Sequence, residues 1–293
     1  MNERWYSTRW PMGWRRGWPC CSGCWAANAV ADYVLAGGTV LTANGPIEAD
    51  VHIANQVIEA IGPGDPPVAN GAGERIDCTG LTIGPGLVDL HTHLREPGQE
   101  WKEDIESGSR AAVAGGFTAI LAMPNTNPPI DSGHLARYVS DRSAQVGLCD
   151  VIPTGCITES MAGEGLAHLD ELTAAGVRVF TDDGVTVADA GLLRRAMEYL
   201  VERDGLIAQH AEDPGLAGGG HMHEGAVSSW LGMAGLAAEA ETTIVARDLT
   251  LVRMTGCRYH VAHASTAGTV ALIEAAKQEG LPVTAEVAPH HLF

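Results

Sequence analysis

Pro85-Gly86-Leu87-Val88-Asp89-Leu90-His91-Thr92-His93-Leu94-Arg95-Glu96-Pro97-Gly98 is the stretch that decides how the rest of the chain is read. Leu87 to Leu90 is a short apolar run of the kind that forms a buried strand, and it ends in His91-Thr92-His93. Side chains two apart on a strand share a face, so His91 and His93 point the same way and can face one metal ion. Imidazole nitrogen is the usual protein ligand for zinc and similar ions. A bare His-x-His fits two surface histidines at a strand end equally well. Here the pair closes an apolar strand, Arg95 follows two residues on, and Pro97-Gly98 breaks the run. That places a site at the carboxyl end of a strand.

Outward from this stretch, the text on the amino-terminal side is strand-like. Tyr33-Val34-Leu35, Thr39 to Thr42, Asp50 to Ile53 and Gln56 to Ile61 are separated by Gly37-Gly38, Asn44-Gly45 and Ala54-Asn55, which read as turns. Arg75 to Cys78 is one more short strand after a Pro/Gly-rich connection from Pro63 to Gly73. Short strands with tight turns predict a small antiparallel sheet. Residues 1–29 stand apart. They hold Trp5, Trp10, Trp14, Trp18 and Trp25 and four arginines against one acid, with neither helical nor strand periodicity and no signal-peptide apolar core, and they read as a disordered extension or a misassigned start.

On the carboxyl side the pattern becomes strand, helix, strand. Strands are expected to end near 90, 123, 155, 180, 209, 262 and 287, with helices at about 103–115, 133–145, 166–175, 188–203, 237–255 and 272–278, and with Pro214 to Gly225 as a Gly-rich loop. Such alternation makes parallel βα units, whose closed form is the (β/α)8 barrel. Seven strands are counted before Phe293, and an eighth is expected beyond it.

Functional side chains of such barrels sit at the carboxyl ends of strands. Reading those ends gives His91, His93, Asn125, Asp182 or Asp183, His210 and His263, a set able to hold one or two metal ions. His134 and His168 read as surface residues, and His221 and His223 lie in the Gly-rich loop, which could cover the site. His290-His291 follows the seventh strand and is a candidate either to touch the substrate or to support the metal ligands from behind. Two ions need a bridging anion. The chain has only two lysines, Lys102 and Lys277, neither at a strand end, so an aspartate is the expected bridge.

Composition narrows the partners. With 293 residues the chain holds one large domain or a large and a small one. A net charge of −18 argues against nucleic acid or an anionic membrane surface, and no apolar run is long enough to span a bilayer. Seven cysteines, an odd number without a framework spacing, fit a reducing cytoplasm. Cys21-x-x-Cys24 is half a zinc knuckle with no second half.

In combination, His91-Thr-His93-Leu-Arg95-Glu-Pro97-Gly98-Gln99, Met123-Pro-Asn125-Thr126, Phe180-Thr-Asp182-Asp183-Gly184, His210-Ala-Glu212-Asp213 and His263-Ala-Ser265-Thr266 resemble the type I dihydroorotases of the amidohydrolase superfamily. The resemblance runs from about residue 31 to 293. It implies a TIM-like barrel over 85–293 beside a small β-sandwich over 30–84, and a zinc site of His91, His93, Asp183, His210 and His263. It further implies that Arg95 and Asn125 hold the carboxylate of L-dihydroorotate, which is hydrolysed reversibly to N-carbamoyl-L-aspartate in pyrimidine biosynthesis. The family's catalytic Asp, on strand eight, would fall beyond Phe293, as would the strands that complete the sandwich. On that reading these residues alone are expected to be weakly folded and nearly inactive. The alternatives are another cyclic amidase, a hydantoinase or allantoinase, which typically bridges its metals with a carboxylated lysine, or a non-catalytic subunit of an aspartate carbamoyltransferase complex. Association with that transcarbamoylase or with a second copy is compatible with an active enzyme as well.

Overall fold

The computed structural model of the protein describes residues 32–55, 57–63 and 74–292. The Trp-rich extension, Cys21-x-x-Cys24 and nearly all of the Pro/Gly-rich connection lie outside the described residues. The chain forms two compact units: Met1–Leu90 with Glu106–Ile120 and Ser143–Asp150, and His91–Ile105 with Leu121–Arg142 and Val151–Phe293.

In the first unit β1 (Tyr33–Thr42), β2 (Gly45–Ala54), β3 (Val57–Gly62), β4 (Glu74–Asp77) and β5 (Thr82–Ile83) make one sheet, in the order β3-β2-β1-β4 with β5 also on β1. Gly37-Gly38 is not a turn, as the sequence suggested, but a bulge inside one continuous strand. The extra residue flips the side-chain alternation, so Tyr33 and Leu35 reach the same small core as Val40, Ala49, Val51 and Ile53. Glycine is required at the bulge: Gly37 has φ +70°, and a Cβ on Gly38 would stand 2.6 Å from Ile83 Cδ1. The expected antiparallel sheet is in fact mixed, since β4 and β5 run parallel to β1. Tight turns force antiparallel neighbours, whereas β4 follows a long connection and is free to run alongside β1.

Beyond β5 the alternation read from the sequence is present. The chain continues as β6 (Leu87–Thr92), α1 (Ile105–Ala114), β7 (Phe117–Ala122), α2 (Gly133–Val146), β8 (Asp150–Pro153), α3 (Leu169–Ala174), β9 (Val179–Phe180), α4 (Ala190–Val201) and β10 (Leu206–Gln209). There follow α5 (Pro214–Ala217), β11 (Met222–His223), α6 (Ala226–Leu231), β12 (Gly235–Leu236), α7 (Glu239–Thr255), β13 (Arg258–Val261), α8 (Ala267–Gln278) and β14 (Val283–Ala285). β6-β7-β8 form one sheet and β9-β10-β13-β14 another, the latter parallel throughout. Within the second unit, Met123 N donates to Thr92 O and Thr154 N to Ala122 O, and a parallel bridge joins Gly155 to Phe180. The carboxyl ends of all seven strands therefore line one rim.

α4 shows why these segments are helices. Leu192, Leu193, Ala196, Met197 and Leu200 recur with helical spacing and are all buried, and the Asp189 carboxylate caps the first turn by accepting from Leu192 N. Burying each leucine contributes about 1.5–3 kcal/mol. The stretch read as a Gly-rich loop holds more order than expected. Asp213 caps α5, Pro214 occupies its first turn, and β11 pairs with β12.

Candidate metal centre

Each predicted rim residue is carried by the end of a strand. His91 belongs to β6 and His93 follows it, Asn125 follows β7, Asp183 follows β9, His210 follows β10 and His263 follows β13. All six lie in the second unit. The structure resolves the choice between the two adjacent acids. Asp182 is turned into the core, where it accepts from Ile157 N at 2.7 Å, from Thr158 N at 3.1 Å and from the Thr158 hydroxyl. It pins the turn after β8 and faces no histidine. Asp183, also buried, faces four.

Asp183 Oδ1 lies 3.3 Å from His91 Nε2, 3.6 Å from His263 Nε2 and 3.9 Å from His210 Nδ1, while Oδ2 lies 3.5 Å from His93 Nε2. His210 Nδ1 and His263 Nε2 are 3.0 Å apart. The donors fall into two triads that share Asp183: His91, His93 and Asp183, and Asp183, His210 and His263. Ligands about 2.0–2.1 Å from one tetrahedral ion stand about 3.3–3.4 Å from each other. The observed spacings bracket that value, and imidazole and carboxylate are the donors a borderline divalent ion selects. The residues fit a metal, and the one carboxylate reaches both triads, as a bridge must.

The electrostatics agree. Burial works to raise the Asp183 carboxyl, but contact with His263 and His91 overrides it and holds the group well below the usual carboxylate range. Burial lowers His93 and His210, keeping their imidazoles neutral and able to coordinate. His91 differs: burial works to lower it, but hydrogen bonds to Asp183 and Glu286 override that and push it up to about 10, so an ion taken up there must displace its proton.

Around the donors, the remaining predicted residues sort themselves. Asn125 Oδ1 is 3.0 Å from His93 Nδ1, and its Nδ2 points to the Asp183 carbonyl and carboxylate at 3.4 Å each. Arg95 is half-buried, with backbone φ at +61°, and its guanidinium has no hydrogen-bond or ion-pair partner among the described residues. The loop bearing it is anchored next door: buried Glu96 accepts from Tyr138 Oη at 2.7 Å and from Ile105 N at 2.8 Å. His134, His168, His221 and His223 are exposed and belong to neither triad. His290 is exposed too, whereas His291 Nε2 lies 3.2 Å from Ser265 Oγ. Lys102 is exposed and bonded to Gln99, and Lys277 is exposed on α8, so neither meets the triads. The described cysteines, Cys78, Cys149, Cys156 and Cys257, are free and buried.

Sequence reasoning missed Glu286, whose Oε1 lies 2.6 Å from His91 Nδ1. A signal was present: Glu286 is the acid that ends the seventh strand, the same position that singled out the other rim residues.

A family model described as dihydro-orotase-like matches residues 80–269. A dihydroorotase of Mycobacterium bovis is 50% identical over 246 residues, which is 83% of this chain and 57% of that protein. One from Pelobacter propionicus is 48% identical over 244 residues, again 83% of this chain and 57% of that protein. The chain thus spans somewhat more than half the length of the curated relatives it matches. Among solved structures, an L-hydantoinase (dihydropyrimidinase) from Arthrobacter aurescens superposes with a TM-score of 0.73 at 23% identity, covering 88% of this chain and 58% of that one. A D-hydantoinase gives 0.72 at 26% identity, covering 89% of this chain and 58% of that one. The likeness shows the fold, a TIM-like α/β barrel of the amidohydrolase kind.

Proposed function

Because the chain belongs to the dihydro-orotase-like family, we propose that it serves the reversible hydrolysis of L-dihydroorotate to N-carbamoyl-L-aspartate, at a zinc site of His91, His93, Asp183, His210 and His263. The observation that carries the substrate is Arg95, a half-buried guanidinium without a partner among the described residues, two residues beyond the second histidine. A carboxylate-bearing ring fits it. The planar fork makes two parallel charge-assisted bonds to a carboxylate, which a lysine could not copy. Asn125 can add a third bond through Nδ2, whose contacts to Asp183 are long at 3.4 Å. Together they would fix the ring so that its amide carbonyl faces the triads, and orientation of this kind accounts for much of an enzyme's rate.

Zinc, when bound, supplies a water of lowered pKa and polarises the carbonyl under attack. Asp183 would hold both triads at one spacing, and the neutral His93 and His210 would keep their lone pairs for the ion. Water adds to the carbonyl carbon, the ring C–N bond breaks, and a proton passes to the departing nitrogen. The family resemblance implies that an aspartate on the eighth strand carries that proton.

The hydantoinase-like fold keeps a second cyclic amide in view. Calorimetric titration of the zinc-loaded protein with L-dihydroorotate, hydantoin and allantoin separates the readings. The carboxylated ring should bind tightest, and Arg95→Lys should abolish that preference. A preference for hydantoin that survives Arg95→Lys sinks the proposal. A cytoplasmic setting belongs to the same reading and is tested by cell fractionation, and assembly with aspartate carbamoyltransferase or a second copy is tested by sedimentation of the protein alone and in mixture. No described helix is long and apolar enough to cross a membrane.

A further inference from the structure

The two histidines of the β6 end are held by unlike partners. His93 Nδ1 meets a neutral amide oxygen of Asn125 at 3.0 Å, whereas His91 Nδ1 meets the Glu286 carboxylate at 2.6 Å. Glu286 follows β14 and is itself fixed on three sides. Its N–H donates to Val261 O, its carbonyl accepts from Ala264 N, and its Oε2 stands 3.4 Å from Nε2 of the buried His260. His260 Nε2 makes no aligned hydrogen bond, so Glu286 is the charge it faces, and its other nitrogen is engaged by Thr284 Oγ1 at 2.7 Å. A chain of contacts therefore runs Thr284–His260–Glu286–His91 and ends at the nitrogen opposite the one aimed at Asp183.

We propose that Glu286 is a positioning residue of the metal centre. Its carboxylate fixes His91 as the tautomer protonated on Nδ1, presents Nε2 to the ion, and makes His91 a stronger donor than the amide-held His93. An imidazole has one lone pair to give, and the ring nitrogen that gives it is set by the bond the other makes. A carboxylate there also raises the basicity of the ligand. Through its main-chain carbonyl the same residue fastens Ala264, beside His263, so Glu286 ties a member of each triad to the end of β14, by its side chain at His91 and by its backbone at Ala264. This rests on the metal reading above and adds a residue that neither the motifs nor the comparisons assign.

The test uses the full chain and zinc alone. Glu286→Gln keeps the size and an acceptor oxygen but removes the charge. Zinc affinity, measured by competition with a chelator, should fall about 10–100-fold. In the zinc-loaded wild type, nitrogen-15 NMR of the histidines should show His91 with its proton on Nδ1 and its Nε2 coordinated, and the Nδ1 proton should move upfield in Glu286→Gln. Affinity within twofold of wild type overturns the proposal. So does a wild-type spectrum with His91 coordinated through Nδ1, a result that decides the matter even if the variant does not fold. A wild type that takes up no zinc overturns the metal reading and this proposal with it, and is distinguishable because it fails before any substitution is made.

Discussion

Asp182 and Asp183 are neighbours of identical chemistry with opposite expected roles. Asp183→Ala removes the carboxylate common to both triads and should strip the bound zinc while leaving the fold in place, measured as metal content after gel filtration. Asp182→Ala should do the reverse. It leaves Ile157 N and Thr158 N without their acceptor in a buried turn, which costs on the order of 1–3 kcal/mol for each donor left unsatisfied. Its melting temperature should drop while zinc uptake by the folded fraction persists. Equal zinc loss in the two variants would undo the distinction. The sequence held both acids open because successive residues leaving a strand differ in direction, and only the turn after β8 shows which of them is consumed by backbone donors. The histidines were legible for the opposite reason, since period two fixed His91 and His93 on one side without any tertiary information. Glu286 was legible as an acid at a strand end, but its pairing with His91, nearly two hundred residues earlier, is a tertiary contact that no local pattern records.

At the scale of elements, the loop from His93 to Lys102 places Arg95, and its shape depends on Gly98. There φ is +89°, and a Cβ would lie 1.8 Å from Asn127 O, against backbone that cannot yield cheaply. Gly98→Ala should cost roughly 1–3 kcal/mol in stability and should weaken binding of a carboxylated substrate more than of hydantoin, because the displaced side chain is the proposed carboxylate clamp. Calorimetry on the two ligands checks it, and equal weakening would argue that Arg95 is not the clamp. The strand-helix rhythm of this region was readable because its periods and lengths differ plainly: a run such as Leu206 to Gln209 is too short for a helix, and α4 repeats its leucines at helical spacing. What escaped were features set by one residue. The bulge at Gly37-Gly38 looked like a turn because glycine pairs mark both, and α8 begins at Ala267 rather than near Leu272 because the Thr266 cap outweighs the Gly268 that follows it.

Across the whole molecule, the proposed metal donors are distributed unevenly. All five, with Asn125 and Glu286, belong to the second unit, and none comes from the sheet of β1 to β5. They are also drawn from the ends of four separate strands and the residues that follow them, so a bound ion cross-links segments far apart in sequence, from His91 to His263. A ligand that binds only the folded state stabilises it by RT ln(1 + [L]/Kd), about 4 kcal/mol at a thousandfold excess over Kd. That gain should appear only where the donors are. Hydrogen exchange followed with and without chelator should show zinc-dependent protection in β6, β10 and β13 and in the turn that carries Asp183, with the amides of β1, β2 and β3 exchanging at the same rate in both. If protection in β1 to β3 rose equally with zinc, the ion would be stabilising the chain by some route other than the rim. His210 and His263, whose facing nitrogens lie 3.0 Å apart, belong to the same triad, so β10 and β13 are where zinc-dependent protection should be largest.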